Sequence, residues 1–149
     1  MTKDEQIELL TKKLEFYRRD YVTGLYQRHD FMRDCSELLK ARHFWLTFHD
    51  VNGLHEINRL KGYYAGDALL KQVANNLQLC VPDCLVYRLS GDEFAVVYYD
   101  EPSKCQCDKT THFTIHSKGF DDVEDMIVFA DKEVSLIKKE HKLRRREDI

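Results

Sequence analysis

Leu85-Val86-Tyr87-Arg88-Leu89-Ser90-Gly91-Asp92-Glu93-Phe94-Ala95-Val96-Val97-Tyr98-Tyr99 is the stretch that decides how this chain folds. Leu85 to Leu89 and Phe94 to Tyr99 are runs rich in β-branched and aromatic residues, which suit a pleated, half-buried surface. Between them, Ser90-Gly91-Asp92-Glu93 supplies the small residues that a tight hairpin needs. The expectation is a β-hairpin with carboxylates at its tip.

Upstream, Phe44 to Phe48 is an aromatic and β-branched run too short for a helix and ending at a polar cluster, so a strand is expected with Asp50 at its end. Asn58 to Tyr64 contains Gly62 and shows no clear periodicity. Ala65 to Leu79 then places Leu69, Leu70, Val73, Ala74 and Leu77 at helical intervals. Downstream, His112 to Ile115 fits a further short strand. Asp121 to Lys142 fits a final helix with Val123, Met126, Ile127, Ala130, Val134 and Ile137 along its apolar stripe. Toward the N-terminus, His29 to Ala41 is helical, with Phe31, Cys35, Leu38 and Leu39 on one face, and the glycine-broken segment Asp20 to Leu25 is a loop. Residues 4 to about 18 form a lead helix in which Ile7, Leu10, Leu14 and Tyr17 follow the a/d spacing of a coiled-coil seam. Pairing with a second copy and packing on its own domain both fit that pattern. The fold class is α/β (α+β), with a lead helix over 1–19 and one domain over 20–149.

A chain of 149 residues fits one core, and 33% charged residues with no apolar run near the roughly 20 residues of a membrane helix exclude a spanning segment. The charged start MTKDEQIELL lacks the pattern of a secretory signal, so the expected location is the cytoplasm. A net charge of −3 argues against a general nucleic-acid binder. The basic tail Lys138 to Arg146 is most simply a solvated helix end that complements the helix dipole. Five cysteines at irregular spacings, Cys35, Cys80, Cys84, Cys105 and Cys107, do not describe a disulfide framework, and Cys35 and Cys80 fall among apolar helix positions as small core residues.

The residues that carry chemistry are Asp50 at a strand end and Asp92 and Glu93 at the hairpin tip. If strand and hairpin are neighbours, these carboxylates converge, and carboxylates that cannot all stay ionised at close range call for a cation. Mg²⁺ prefers such oxygen ligands and leaves further positions to water and phosphate. The plainer reading has Asp92 and Glu93 solubilising a turn and Asp50 capping a helix. Spacing alone does not choose between them.

Several motifs in order do. Asp20-Tyr21-Val22-Thr23-Gly24-Leu25-Tyr26-Gln27-Arg28, Asp50-Val51-Asn52-Gly53-Leu54-His55-Glu56-Ile57-Asn58-Arg59, Ala65-Gly66-Asp67 and Arg88 followed by Ser90-Gly91-Asp92-Glu93-Phe94 together resemble a GGDEF domain. That is the palm-like fold of diguanylate cyclases, a central and mostly antiparallel sheet flanked by helices. The resemblance runs from about Asp20 to Lys142. It implies condensation of two GTP into cyclic di-GMP with Mg²⁺ (or Mn²⁺), across a homodimer. It makes Asp50 and Asp92 side-chain metal ligands with the Val51 carbonyl beside them, and has Glu93 assisting the metal or the attacking 3′-hydroxyl. It places Asn58 and Asp67 on the guanine edge, where a carboxylate accepting from N1 and N2 selects against adenine. His55, Ser90 and Gly91 would line the nucleotide. Ala130-Asp131, Lys138 and Lys142 match the C-terminal pattern, the two lysines meeting triphosphate oxygens.

The departures carry information too. Asn52 stands where the family has a second aspartate, His55 where it has a phosphate-contacting lysine, and Ser90 where it has the loop's first glycine. The link from Tyr99 to His112 is short where the family has a helix. The positions of the family's inhibitory R-x-x-D are Val81 and Cys84, so feedback inhibition through that motif is not expected. Two other readings stay open: a catalytically weak GTP-binding sensor or interaction module, and a palm-fold cyclase making another cyclic nucleotide. A zinc site of Cys105, Cys107, His112 and His116 is disfavoured, because an extended segment separates its histidines by roughly 13 Å. Tyr63 and Tyr64 could stack on a base or shield the pocket.

Overall fold

The computed structural model describes residues 1–80, 83–102 and 107–147. In chain order the elements are α1 (Lys3–Arg18), β1 (Tyr26–Gln27), α2 (Arg28–Ala41), β2 (Trp45–Val51), α3 (Leu54–Lys61), α4 (Tyr63–Cys80), β3 (Leu85–Ser90), β4 (Glu93–Tyr98), β5 (Thr110–His116) and α5 (Val123–Glu147). The strands make one sheet in the order β1-β3-β4-β2-β5, with β1 parallel to β3 and every other pairing antiparallel. The expected α+β architecture is thus present, including the hairpin of β3 and β4.

Alternation along β2 sorts the two faces of the sheet. Leu46 and Phe48 join Phe31 and Cys35 of α2 and Met126, Ala130 and Val134 of α5 in one core. On the opposite face, Phe94, Val96 and Tyr98 of β4 pack with Leu70, Val73, Ala74 and Leu77 of α4. Toward the β5 edge this second face turns polar. Thr47 and Thr114 share a hydroxyl hydrogen bond of 2.8 Å, and the buried His49 places Nδ1 2.8 Å from Thr110 Oγ1.

Two elements differ from expectation. Asn58 to Tyr64 is the end of α3 and the start of α4, divided at Gly62, whose φ of 86° lets two helices meet without a longer loop. Interruption by that glycine hides the period of each short piece. β1 is only two residues long, and its pairing with β3 comes from tertiary placement rather than local propensity. Cys35 is buried as expected, whereas Cys80 is exposed at the last turn of α4.

Among the described residues, no helix is long and apolar enough to cross a membrane. α1 buries none of its residues, and Ile7, Leu10, Leu14 and Tyr17 are 60%, 59%, 65% and 75% exposed. A capping box formed by Thr2 and Glu5 starts that helix.

Candidate functional site

The antiparallel register sets Asp50 of β2 directly opposite Glu93 of β4, on the sheet face that α5 covers. The tip of the hairpin is fastened there by the Val51 amide, which donates to the Asp92 carbonyl at 2.8 Å. The strand-end aspartate and the acidic turn are therefore neighbours, as the sequence required for a shared cation.

α5 reaches over this pair. Its buried stripe runs Val123, Met126, Ile127, Ala130 and Val134, and Lys138 follows one turn later on the same stripe. Lys138 Nζ stands 2.9 Å from Asp50 Oδ1. That oxygen is buried and accepts no directed hydrogen bond from the described residues, so the contact is a charge pair. Burial pushes the Asp50 carboxyl above its ordinary range; Lys138 pulls the other way, while Asp92 and Asp131 add repulsion. Burial likewise raises Glu93, against a lowering hydrogen bond from Ser90, with Asp131, Asp92 and Asp50 adding to the rise. Asp131, seven residues before Lys138 on α5, is thus part of the charge cluster, a place the sequence reading had not given it. Its spacing of two helical turns from Lys138 was the available signal.

The hairpin has a second anchor. Arg88 donates to the carbonyls of Ser90 and Gly91 at 3.2 and 2.8 Å and pairs with Asp20. Asp20 also accepts from the amide and hydroxyl of Thr23, at 2.8 and 2.7 Å. Burial opposes its charge, yet Thr23 and Arg88 together hold its carboxyl below the usual range.

At the α3–α4 elbow, Asn58 Oδ1 is buried and has no hydrogen-bond partner among the described residues. A Cβ on Gly66 would overlap that oxygen, so Asn58 occupies space that only glycine leaves open. Asp67, next to Gly66, is half-buried, while His55 on the first turn of α3 is exposed. Tyr63 and Tyr64 are 78% and 94% exposed, so neither shields a pocket here. Asn52 turns to β5, its Oδ1 accepting from the Thr111 hydroxyl at 2.8 Å. Lys142 is exposed on α5, one turn beyond Lys138.

Among the described residues, no three His, Cys, Asp or Glu side chains form a closed metal cage. Mg²⁺ in phosphate chemistry needs only one or two carboxylates, with phosphate oxygens and water completing its shell. The acid pair of Asp50 and Glu93, the underbonded Asp50 Oδ1 and an ammonium already standing beside it fit such a cation. For the zinc arrangement, His112 and His116 lie at opposite ends of extended β5, Cys107 is buried, and Cys105 lies outside the described residues. Val81 also lies outside them, and Cys84 is half-buried.

A sequence-family model described as diguanylate cyclase, GGDEF domain, matches residues 17–118. The chain is 36% identical over 98 residues to the cyclic di-GMP phosphodiesterase PdeB of Shewanella oneidensis, covering 64% of this chain and 11% of that protein. It is 34% identical over 87 residues to an uncharacterized membrane protein of Staphylococcus saprophyticus, covering 54% of this chain and 24% of that one. The chain therefore spans a quarter or less of these relatives. In three dimensions it matches the coiled coil and GGDEF domain of DgcB from Caulobacter crescentus in complex with c-di-GMP, with a TM-score of 0.76, 16% identity, and coverage of 91% and 88% of the two chains. The S helix-GGDEF-EAL portion of Vibrio cholerae LapD bound to c-di-GMP gives a TM-score of 0.78 at 17% identity, covering 95% of this chain and 39% of that one. These structural likenesses show a shared fold.

Proposed function

The chain belongs to the GGDEF domain family, and from that membership we propose that it binds GTP with Mg²⁺ and joins two GTP molecules into cyclic di-GMP across a homodimer. The observation that carries this reading is the placement of Asp50 opposite Glu93, with the Asp92 carbonyl tied to the Val51 amide beside them.

Asp50, Asp92 and the Val51 carbonyl would hold the metal, with Glu93 next to them. Held there, Mg²⁺ would supply charge neutralisation for the triphosphate and would lower the cost of ionising the 3′-hydroxyl. Glu93, its proton affinity raised chiefly by burial, takes the hydroxyl proton as that oxygen attacks the α-phosphate and pyrophosphate leaves. Lys138 and Lys142 meet phosphate oxygens, and the Ser90-Gly91 backbone and His55 border the nucleotide. Asn58 offers its unpartnered oxygen to the guanine N–H donors, with Asp67 beside it. A base lacking those donors would leave buried acceptors unpaired, which is the physical ground for preferring GTP over ATP.

Two active sites must face each other for both hydroxyls to attack. The uncovered seam of α1 supports assembly of two copies, since Ile7, Leu10, Leu14 and Tyr17 stand exposed at a/d spacing. On this reading, 1–19 is a linker helix and 20–149 the nucleotide-binding domain.

Incubation of the purified chain with GTP and Mg²⁺, followed by chromatography of the nucleotides, tests the proposal. Cyclic di-GMP should appear and should vanish in Asp92→Ala; no cyclic dinucleotide at high protein concentration counts against it. A second reading, a GTP-binding module without turnover, is favoured by Asn52, whose side chain is engaged with Thr111, and by the exposed His55 in place of the lysine. Calorimetric binding of GTP without product would select it.

A further inference from the structure

The GTP and metal reading leaves one contact unexplained: the residue assigned to phosphate is occupied with a metal ligand. Resting on that reading, we propose that Lys138 is a tethered cation that neutralises Asp50 while nucleotide is absent and yields it to a divalent ion once a triphosphate draws the ammonium away. The chain then takes up metal together with nucleotide, not before it.

The placement of Lys138 argues for a built contact. It occupies the position after Val134 on the stripe by which α5 packs on the sheet, so its stem runs inward over apolar surface and its ammonium arrives at the acid pair. The pair it forms with Asp50 spans 2.9 Å, with the carboxylate only 18% exposed and the lysine 33% exposed. Asp92, Glu93 and Asp131 all bear on the same place with like charge. Among the described residues, Lys138 makes the only ion pair with any member of this cluster.

A free dication approaching this cluster must displace the ammonium, and the displaced ammonium, still tethered, then repels it. A triphosphate changes that balance. Its oxygens give the ammonium a new partner within reach of a flexible lysine stem, and they complete the metal shell at the same time. Metal and nucleotide thus favour each other's binding, and by linkage the coupling acts equally in both directions.

The test measures protein-bound Mn²⁺ from the electron paramagnetic resonance signal of the free ion, with and without a GTP analogue carrying a methylene between the α- and β-phosphates, after subtracting the Mn²⁺ that the analogue holds in protein-free solution. Lys138→Met should bind Mn²⁺ alone about tenfold or more tighter than the wild type, the effect of removing one charge competitor. In the wild type the analogue should strengthen Mn²⁺ binding, and in Lys138→Met that strengthening should shrink. Lys138→Gln, which keeps a polar end, should follow Lys138→Met, and both are checked for an unchanged thermal melt. Lys139→Met, on the exposed side of α5, should match the wild type.

Equal affinity of the wild type and both Lys138 variants for Mn²⁺ alone, with analogue-dependent binding intact, would overturn this role of Lys138 and leave the GTP reading standing. No Mn²⁺ binding with or without the analogue, in any variant, would overturn both.

Discussion

Arg88 Nη1 lies 2.9 and 3.0 Å from the two carboxylate oxygens of Asp20, joining residues 68 positions apart. Through the carbonyls of Ser90 and Gly91, the same guanidinium holds the acidic turn, so the loop after α1 and the hairpin tip form one unit. The side chains are 14% and 13% exposed. Removing one partner leaves a largely buried charge unpaired, so Asp20→Ala should cost about 3 kcal/mol in urea unfolding. Asp20→Asn, which can still accept from Thr23, should cost less. Because the folded carboxyl is held below its ordinary value, its contribution is complete above the ordinary carboxylate range and is lost as pH falls through the lowered folded value. A loss in Asp20→Ala no greater than that of an exposed substitution would contradict this account.

His49 gives the chain a second acid-sensitive point. It is fully buried and its ring lies 4.9 Å from that of His112. Burial first, and His112 second, lower its pKa from 6.5 to about 3. Between those values the unfolded chain binds a proton that the folded chain refuses, so this residue makes stability decline as pH falls across that window. Replacement by leucine should flatten the decline relative to wild type. The comparison is a series of urea midpoints from neutral to acid pH, and parallel curves for the two proteins would refute it.

Gly66→Ala separates helix stability from ligand binding. Alanine is favoured over glycine inside a helix by about 1 kcal/mol, yet here its Cβ would meet Asn58 Oδ1. The variant should fold, with the propensity gain offsetting part of the steric cost, while calorimetry with GTP shows affinity lower by about tenfold or more as Asn58 is displaced. Unchanged GTP affinity would remove Asn58 from the guanine contact.

Asn52→Asp tests the departure from the family pattern. The Asn52 oxygen only accepts, from Thr111, and a carboxylate can accept that bond equally well. The fold should persist, and the added charge beside Asp50 should tighten Mn²⁺ binding in the presence of GTP by several-fold, on the order of one nearby charge in a partly screened site. Weaker binding would mean that position 52 faces away from the metal.

Leu10→Glu and Leu14→Glu probe the seam of α1. Both residues stand exposed, 59% and 65%, so the unfolding midpoint of the domain should stay within about 0.5 kcal/mol of wild type. Sedimentation should show a shift toward monomer. An unaltered association state would exclude α1 as the dimer contact.

Much of this was legible in the residues because local signals were strong and mutually consistent. The apolar, β-branched and aromatic run Phe94 to Tyr98, the small residues of the turn and the stripe of α5 each mark an element. The convergence of Asp50 with Glu93 followed once β2 and β4 were neighbours. What escaped was set by tertiary contact. β1 is too short to have a period, and α3 is cut from α4 by Gly62 before a second heptad can declare itself. Cys80 looked apolar by its helical position but is exposed at the last turn of α4. Lys138 was assigned to phosphate by resemblance, and only the packing of α5 shows its ammonium against Asp50.

The continuous α5 carries Asp131 and Lys138 on a single rod, which makes their placement a matter of phase. One residue inserted between Val123 and Asp131 would turn everything after it by about 100° relative to the anchored first turn. Both charges would then leave the sheet together while every side chain of the acidic turn remained intact. A length change far from the hairpin would disarm it as thoroughly as deleting Asp92.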